Sequence, residues 1–234
     1  MNIIVTGASR GIGYATCLEL SKNKKHTVIA LARNEAGLKK LKEEALETTG
    51  NEIRILSFDL INPRWEQLNE ILSDCEQIDV LINNAGALVN KPFLVTDDED
   101  WEKMMGVNVI RVASITRNLY KLLQASPRAH IVNISSMGGF QGSAKFAGLS
   151  AYSASKAALA CLTECMAEEF SKTNIRCNCL CLGAVATEML AEAFPGYDPP
   201  LRDYEMATYI ADFSLKAHKY MNGQIIPVAF SNPG

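Results

Sequence analysis

Tyr152 and Lys156 stand four residues apart in the segment SAYSASKAALACL, and on a helix that spacing puts both side chains on one face. A phenol has an ordinary pKa near 10 and exchanges protons poorly at neutral pH; a neighbouring ammonium favours phenolate and moves the group toward the working range. The pair is suited to general acid/base catalysis. Tyr and Lys at this spacing also sit on the solvated face of many amphipathic helices, so the pair takes its meaning from what surrounds it.

A second chemical signal opens the chain. The apolar run NIIVT is followed by TGASRGIG, with Gly7, Gly11 and Gly13, and then by YATCLELSK with helical apolar spacing. The order reads as strand, glycine turn and helix. A helix N-terminus offers unpaired N–H groups and the positive end of a dipole, and glycines let a phosphate approach the backbone. A dinucleotide pyrophosphate suits this pattern. The spacing differs from GxGxxG, and no GKS or GKT follows, which disfavours a Walker-type phosphate loop.

These residues must be positioned by a larger frame. With 234 residues, 48% hydrophobic and 21% charged, the chain has apolar content for one sizeable core and is expected to form a single domain over 1–234. A net charge of −3 gives no basic field for nucleic acid or anionic membrane. The first apolar strand leaves no room for a signal segment, and no run reaches membrane-spanning length, so a cytoplasmic location is expected.

Seven apolar, β-branched runs recur between helical segments: NIIVT, HTVIALA, EIRILSF, IDVLIN, HIVNIS, IRCNCLCL and GQIIPVAF. They predict a doubly wound α/β fold with a seven-stranded parallel sheet buried on both faces. Thr96 to Glu99, TDDE, reads as a capping box opening a long helix to about Gln124. Residues 187 to 205, rich in proline, read as an irregular stretch and a substrate lid. Cys177, Cys179 and Cys181 alternate along one strand face, and Cys161 and Cys165 lie one helical turn apart; all five read as buried thiols. The histidines His26, His130 and His218 are scattered, and no metal is expected.

Taken together, TGxxxGxG at 6–13, NNAG at 83–86, Asn108, Ser136 and YxxxK at 152–156 resemble the short-chain dehydrogenase/reductase family nearly end to end. The resemblance implies that Tyr152 is the proton donor to a carbonyl, that Lys156 lowers its pKa and holds the nicotinamide ribose, that Ser136 bonds the substrate oxygen, and that Asn108 helps hold a proton relay. It also implies a cofactor cradle: Gly7, Ser9, Arg10, Gly11, Ile12 and Gly13 in the glycine turn, Asp59 and Leu60 at the adenine, Asn84, Ala85 and Gly86 on the adenosine side, and Gly183, Val185 and Thr187 at the carboxamide. Adjacent strand residues point to opposite faces, so only one of Ser135 and Ser136 should reach the site. Leu182 stands where the family usually has Pro, and the loop MGGFQGSAKFAGLSA before Tyr152 is longer than usual.

Ala32, Arg33 and Asn34 follow the second strand, where members that prefer NAD usually carry an acid. Arg10 and Arg33 are expected to clamp a 2′-phosphate, each charged hydrogen bond contributing roughly 1.5 to 3 kcal/mol, which favours NADP (NADPH) over NAD. The expected activity is hydride transfer between nicotinamide and a carbonyl or alcohol. A dinucleotide-sensing scaffold or a methyltransferase fits less well, since neither needs the Ser, Tyr and Lys set; a 3-oxoacyl thioester reductase is a specific enzymatic alternative. Leu88, Phe93, Met137, Phe140, Phe146, Met189, Phe194 and Tyr197 suggest an apolar substrate pocket. By resemblance, and from the small apolar side of ALACLTECMAEEF, a homodimer or homotetramer is expected.

Overall fold

The computed structural model describes residues 1–230. Apolar runs become strands β1 (Asn2–Thr6), β2 (Thr27–Ala32), β3 (Arg54–Ser57), β4 (Val80–Asn83), β5 (His130–Ser136), β6 (Arg176–Leu182) and, after two short strands β7 (Val185–Ala186) and β8 (Leu201–Arg202), β9 (Ile225–Val228). The helices are α1 (Gly11–Ser21), α2 (Glu35–Thr49), α3 (Trp65–Ile71), α4 (Asp98–Met105), α5 (Arg111–Ala125), α6 (Ser150–Glu169), α7 (Glu188–Ala193) and α8 (Asp203–Lys216). Seven strands form one sheet in the order β3-β2-β1-β4-β5-β6-β9. Every pair is parallel. Pro227 sits in β9 at the sheet edge, where a missing N–H costs no ladder bond on the open side.

Strand alternation divides the apolar residues into two layers. Ile3 and Val5 of β1 face one side, with Cys17 and Leu20 of α1, Leu38 and Leu41 of α2, and Met206 and Ile210 of α8. Ile4 faces the other, with Leu68 of α3, Ile115 and Leu119 of α5, and Met166 of α6. Burial on both faces explains why the strands read as continuous rather than alternating hydrophobic runs. The chain leaves β1 toward β2 and β3, then returns to place β4 on the other side of β1. A crevice therefore opens at the carboxyl ends of β1 and β4, the switch point at which such sheets bind ligands.

Four sequence expectations are corrected. Asp97, not Thr96, caps α4, its carboxylate accepting from the Asp100 N–H; the Thr96 hydroxyl donates to the carbonyls of Lys91 and Pro92 instead. The long helix expected to Gln124 is interrupted at Gly106–Ile110 by a π-helical turn. Residues 187 to 205 are not irregular throughout, since they contain α7 and β8, which pairs with β7. Cys161 and Cys165 are exposed, because α6 turns Leu159, Ala160, Thr163 and Met166 inward and those two thiols outward; Cys177, Cys179 and Cys181 are buried.

His130 and His218, distant in sequence, meet with ring centroids 5.8 Å apart. Burial pushes the His130 imidazole down to about 4, and its ring bonds the Ser214 carbonyl and the Asn178 amide. A neutral packing role at the base of the sheet follows. None of the described helices is long and apolar enough to cross a membrane.

Candidate active site

The glycine turn after β1 is locked by β4 across the crevice. Asn84 Nδ2 donates to the carbonyls of Thr6 and Gly7 at 3.0 and 3.2 Å, and Thr6 Oγ1 accepts from the Asn84 and Ala85 N–H groups. Gly7 and Gly11 adopt φ of 69° and 55°, a region that disfavours side chains. At Gly13 a Cβ would lie 2.4 Å from both Asn84 Nδ2 and the Gly7 carbonyl, so this glycine permits the close approach of helix to strand. Asn83 points elsewhere: its amide bonds Asn133, which bonds Thr163, in a buried chain that ties β4 to β5 and α6.

Gly86 continues this wall toward the chemistry. A Cβ there would meet Asn108 Oδ1 at 3.2 Å and Lys156 Nζ at 3.3 Å. Lys156 is only 5% exposed; its ammonium donates to the Ile134 carbonyl at 2.9 Å and lies 5.9 Å from the centre of the Tyr152 ring. Burial disfavours the charged amine and brings its pKa down to about 8. Burial likewise raises the Tyr152 pKa, a hydrogen bond with Ser136 acting in the opposite sense. The expected lowering by Lys156 is not among the causes of this shift, and the phenol holds its proton at neutral pH.

Ser136 and Ser135 diverge as strand geometry requires. Ser136 Oγ accepts from the Gly138 N–H at 3.1 Å and stands by the phenol, whereas Ser135 Oγ donates to the Lys156 carbonyl at 2.8 Å and is buried. Asn108 is fully buried on the π-helical turn. Its Oδ1 accepts from the Ala87 N–H, and Nδ2 donates to the Ala87 carbonyl and to Ser155 Oγ, which donates to the Tyr152 carbonyl. Both amide protons are thereby used. The Asn108 side chain braces the β4 loop against α6, and the wider turn aims it there; π-turns inside α-helices often mark functional sites.

Three segments wall the crevice and are stitched together. The loop before Tyr152 folds on itself, with Lys145 Nζ on the Phe140 carbonyl and Ser143 Oγ on the Met137 carbonyl. The Gly148 carbonyl accepts from the Lys91 N–H at 3.0 Å, and Asn90 Nδ2 donates to the Ala193 carbonyl at the end of α7 at 2.8 Å. Thr187 caps α7 and sets its methyl over Gly11, 3.3 Å from where a Cβ would be. The expected apolar pocket is divided: Met137 and Phe140 pack with Cys179 and Cys181, while Phe93, Phe146 and Tyr197 are exposed.

At the outer cofactor positions the picture changes more. Arg10 does not stand free beside Arg33; its Nη1 bonds Glu188 at 2.7 Å and Glu192 at 3.3 Å, both on α7. Asp59 Oδ1 accepts from the Ile61 N–H, Leu60 packs against the core, and Ile12 packs on the opposite layer. The Gly183 N–H is taken by the Val228 carbonyl at 2.9 Å, and the Val185 backbone pairs with Leu201, so the turn after Leu182 is held by β9 and β8 without the usual Pro. Ser9 offers a further contact: a Cβ on Gly37 would lie 2.6 Å from its carbonyl, so the first turn of α2 abuts the glycine turn. At Gly11, beside Thr187, and at Gly86, beside Lys156, a Cβ would crowd the wall of the crevice; without one the backbone is bare there, as the approach of a dinucleotide requires.

A family model described as short chain dehydrogenase matches residues 1–198. A cyclopentanol dehydrogenase of Comamonas sp. is 31% identical over 189 residues, covering 80% of this chain and 74% of that protein. A 3-oxoacyl-(acyl-carrier-protein) reductase of Aquifex aeolicus is 33% identical over 193 residues, covering 80% and 75%. Among solved structures, a short chain dehydrogenase of Escherichia coli complexed with NADPH has a TM-score of 0.87 at 30% identity, over 97% of this chain and 95% of that one.

Proposed function

The chain belongs to the short-chain dehydrogenase/reductase family, and from that premise we propose that it is an NADP(H)-dependent oxidoreductase interconverting a carbonyl and an alcohol. The observation that carries the reading is the meeting of Tyr152, Lys156 and Ser136 at the inner end of the crevice, beside Gly86. When bound, NADP(H) supplies or accepts the hydride. Tyr152, kept protonated by burial, hands its phenolic proton to the substrate oxygen. Ser136 Oγ accepts from Gly138 and so keeps its own proton to orient that oxygen. Lys156 stabilises the phenolate that forms and binds the nicotinamide ribose. Asn108 fixes α6 and the Ala87 backbone on either side of the reacting groups.

The proton held on Tyr152 supports reduction as the favoured direction. Support for NADP(H) comes from Arg33 with no carboxylate after β2 and from the NADPH held by the Escherichia coli relative. The names of two curated relatives, a cyclopentanol dehydrogenase and a 3-oxoacyl-(acyl-carrier-protein) reductase, support small cyclic alcohols or ketones and 3-oxoacyl thioesters as the first candidates to try. Purified protein with NADPH and a panel of both classes should consume NADPH with matching alcohol formation; no consumption across the panel would count against the reading.

Residues 187 to 205 are part of the same proposal as a lid, supported by the bond from Asn90 to the end of α7. So is a cytoplasmic location, in keeping with seven free thiols. A homodimer or homotetramer is supported by the exposed Phe93, Leu94 and Val95 beside α4, of which Leu94 is 93% exposed. Light scattering should give a mass at least twice 25.6 kDa; a monomer at micromolar concentration would remove the oligomer.

A further inference from the structure

The three segments that wall the crevice are residues 84–96 after β4, residues 137–149 between Ser136 and Tyr152, and α7 with its cap Thr187. Together they carry four charged side chains, Lys91, Lys145, Glu188 and Glu192. Three of these are paired: Lys91 Nζ lies 2.6 Å from Asp100 Oδ2, and both glutamates hold Arg10. Lys145 has no ion-pair partner among the described residues. Its ammonium donates to two neutral oxygens instead, the Phe140 carbonyl at 2.7 Å and Ser143 Oγ at 2.8 Å. An ammonium has three donors, so one is left for a ligand.

The loop itself fixes where this charge stands. Ser143 Oγ, which accepts from Lys145, donates to the carbonyl of Met137, and Met137 directly follows Ser136. The ammonium is therefore two hydrogen bonds away from the backbone that carries the substrate-orienting serine. Gly142 takes a φ of 83°, a region that favours glycine, and the chain turns back there to bring Lys145 onto Phe140. The far end of the loop is held by the Gly148 carbonyl, which accepts from the Lys91 N–H at 3.0 Å. Lys145 and its neighbour Phe146 are exposed, within reach of an entering molecule.

We propose that Lys145 is a specificity-determining residue: it makes the enzyme prefer carbonyl substrates that carry an anionic group, carboxylate or phosphate, away from the reacting carbonyl. The inference rests on the carbonyl–alcohol reading and names the substrate class of that same site. An unpaired ammonium, at the mouth of a crevice whose other charged walls are paired, leaves a positive field there. Hydrogen bonds within the loop hold the ammonium before the substrate arrives, so little ordering remains to be done on binding. A neutral ketone gains nothing from it, whereas an anion gains a charge-assisted hydrogen bond. The proton comes from Tyr152 and the hydride from the nicotinamide, so the contribution of Lys145 belongs in KM rather than kcat.

Two matched pairs of compounds test the inference. For the carboxylate, 4-oxocyclohexanecarboxylate is compared with its methyl ester; for the phosphate, acetoacetyl-phosphopantetheine is compared with acetoacetyl-pantetheine. The anionic member should show a KM about five- to tenfold lower at similar kcat, as a charge-assisted bond at an exposed site allows. Lys145→Met should bring that ratio close to one, Lys145→Arg should keep most of it, and added salt should shrink it in the unmodified protein. Equilibrium titration of the same compounds into the NADP-bound protein reads binding without turnover. A preference in one pair alone identifies which anion is taken. Equal KM and equal affinity within both pairs, or a preference for the anions that survives Lys145→Met, would overturn this inference alone. No NADPH consumption with any compound, together with Lys145-dependent binding of the anions, would count instead against the carbonyl–alcohol reading.

Discussion

Tyr152→Phe should lower turnover about 10²- to 10⁴-fold, the usual contribution of a positioned proton donor, while folding and NADPH affinity survive. The ring fills the same space beside Ser136, and the bond that holds this turn of α6 from the other side runs through the Tyr152 backbone carbonyl to Ser155, not through the phenol. Only the ionisable oxygen is lost. Steady-state kinetics beside a cofactor titration read the two effects separately. Turnover near that of the unmodified protein, in a folded variant, would remove Tyr152 from the chemistry. Tight NADPH binding by a protein with no carbonyl substrate would instead favour a dinucleotide sensor.

Lys156→Met should act on both chemistry and binding. The substitution deletes the buried ammonium that donates to the Ile134 carbonyl and borders Gly86, so the phenolate loses its counter-charge and the ribose loses a donor. Turnover should fall at least about a hundredfold, with weaker NADPH binding. A pH dependence follows in the unmodified enzyme. Desolvation sets the Lys156 pKa at about 8, so the ammonium is intact below that value and is lost above it; reduction should therefore decline as pH rises through about 8. The cofactor's own charge acts on the same ammonium, and saturating NADPH should move the alkaline limb upward. A rate independent of pH between about 7 and 9 would contradict an alkaline limb set by this ammonium.

Much of this was legible in the order of residues. Continuous β-branched runs announced a sheet covered on both faces, and the glycine turn, NNAG and YxxxK announced the crevice, because short-range patterns control strand formation, turns and helix faces. What was missed depends on contacts between distant segments. Nothing near Arg10 shows that Glu188, 178 residues later, takes its guanidinium. The π-helical turn at Asn108 carries a side chain bonded to Ala87 and Ser155, contacts between segments distant in sequence. Asn84 stands out in the NNAG motif, yet its work as a lock on the glycine turn emerges only when β4 lies beside β1.

The most direct test of the central claim follows a label. NADPH carrying deuterium at the transferable position of its nicotinamide is incubated with the protein and a responsive ketone or 3-oxoacyl thioester, with Tyr152→Phe in parallel, and the alcohol is analysed by mass spectrometry. The account predicts one deuterium on the carbinol carbon, formed at the rate of NADPH consumption and nearly abolished in the variant. Alcohol formed without the label, or labelled alcohol formed equally fast by Tyr152→Phe, would contradict it.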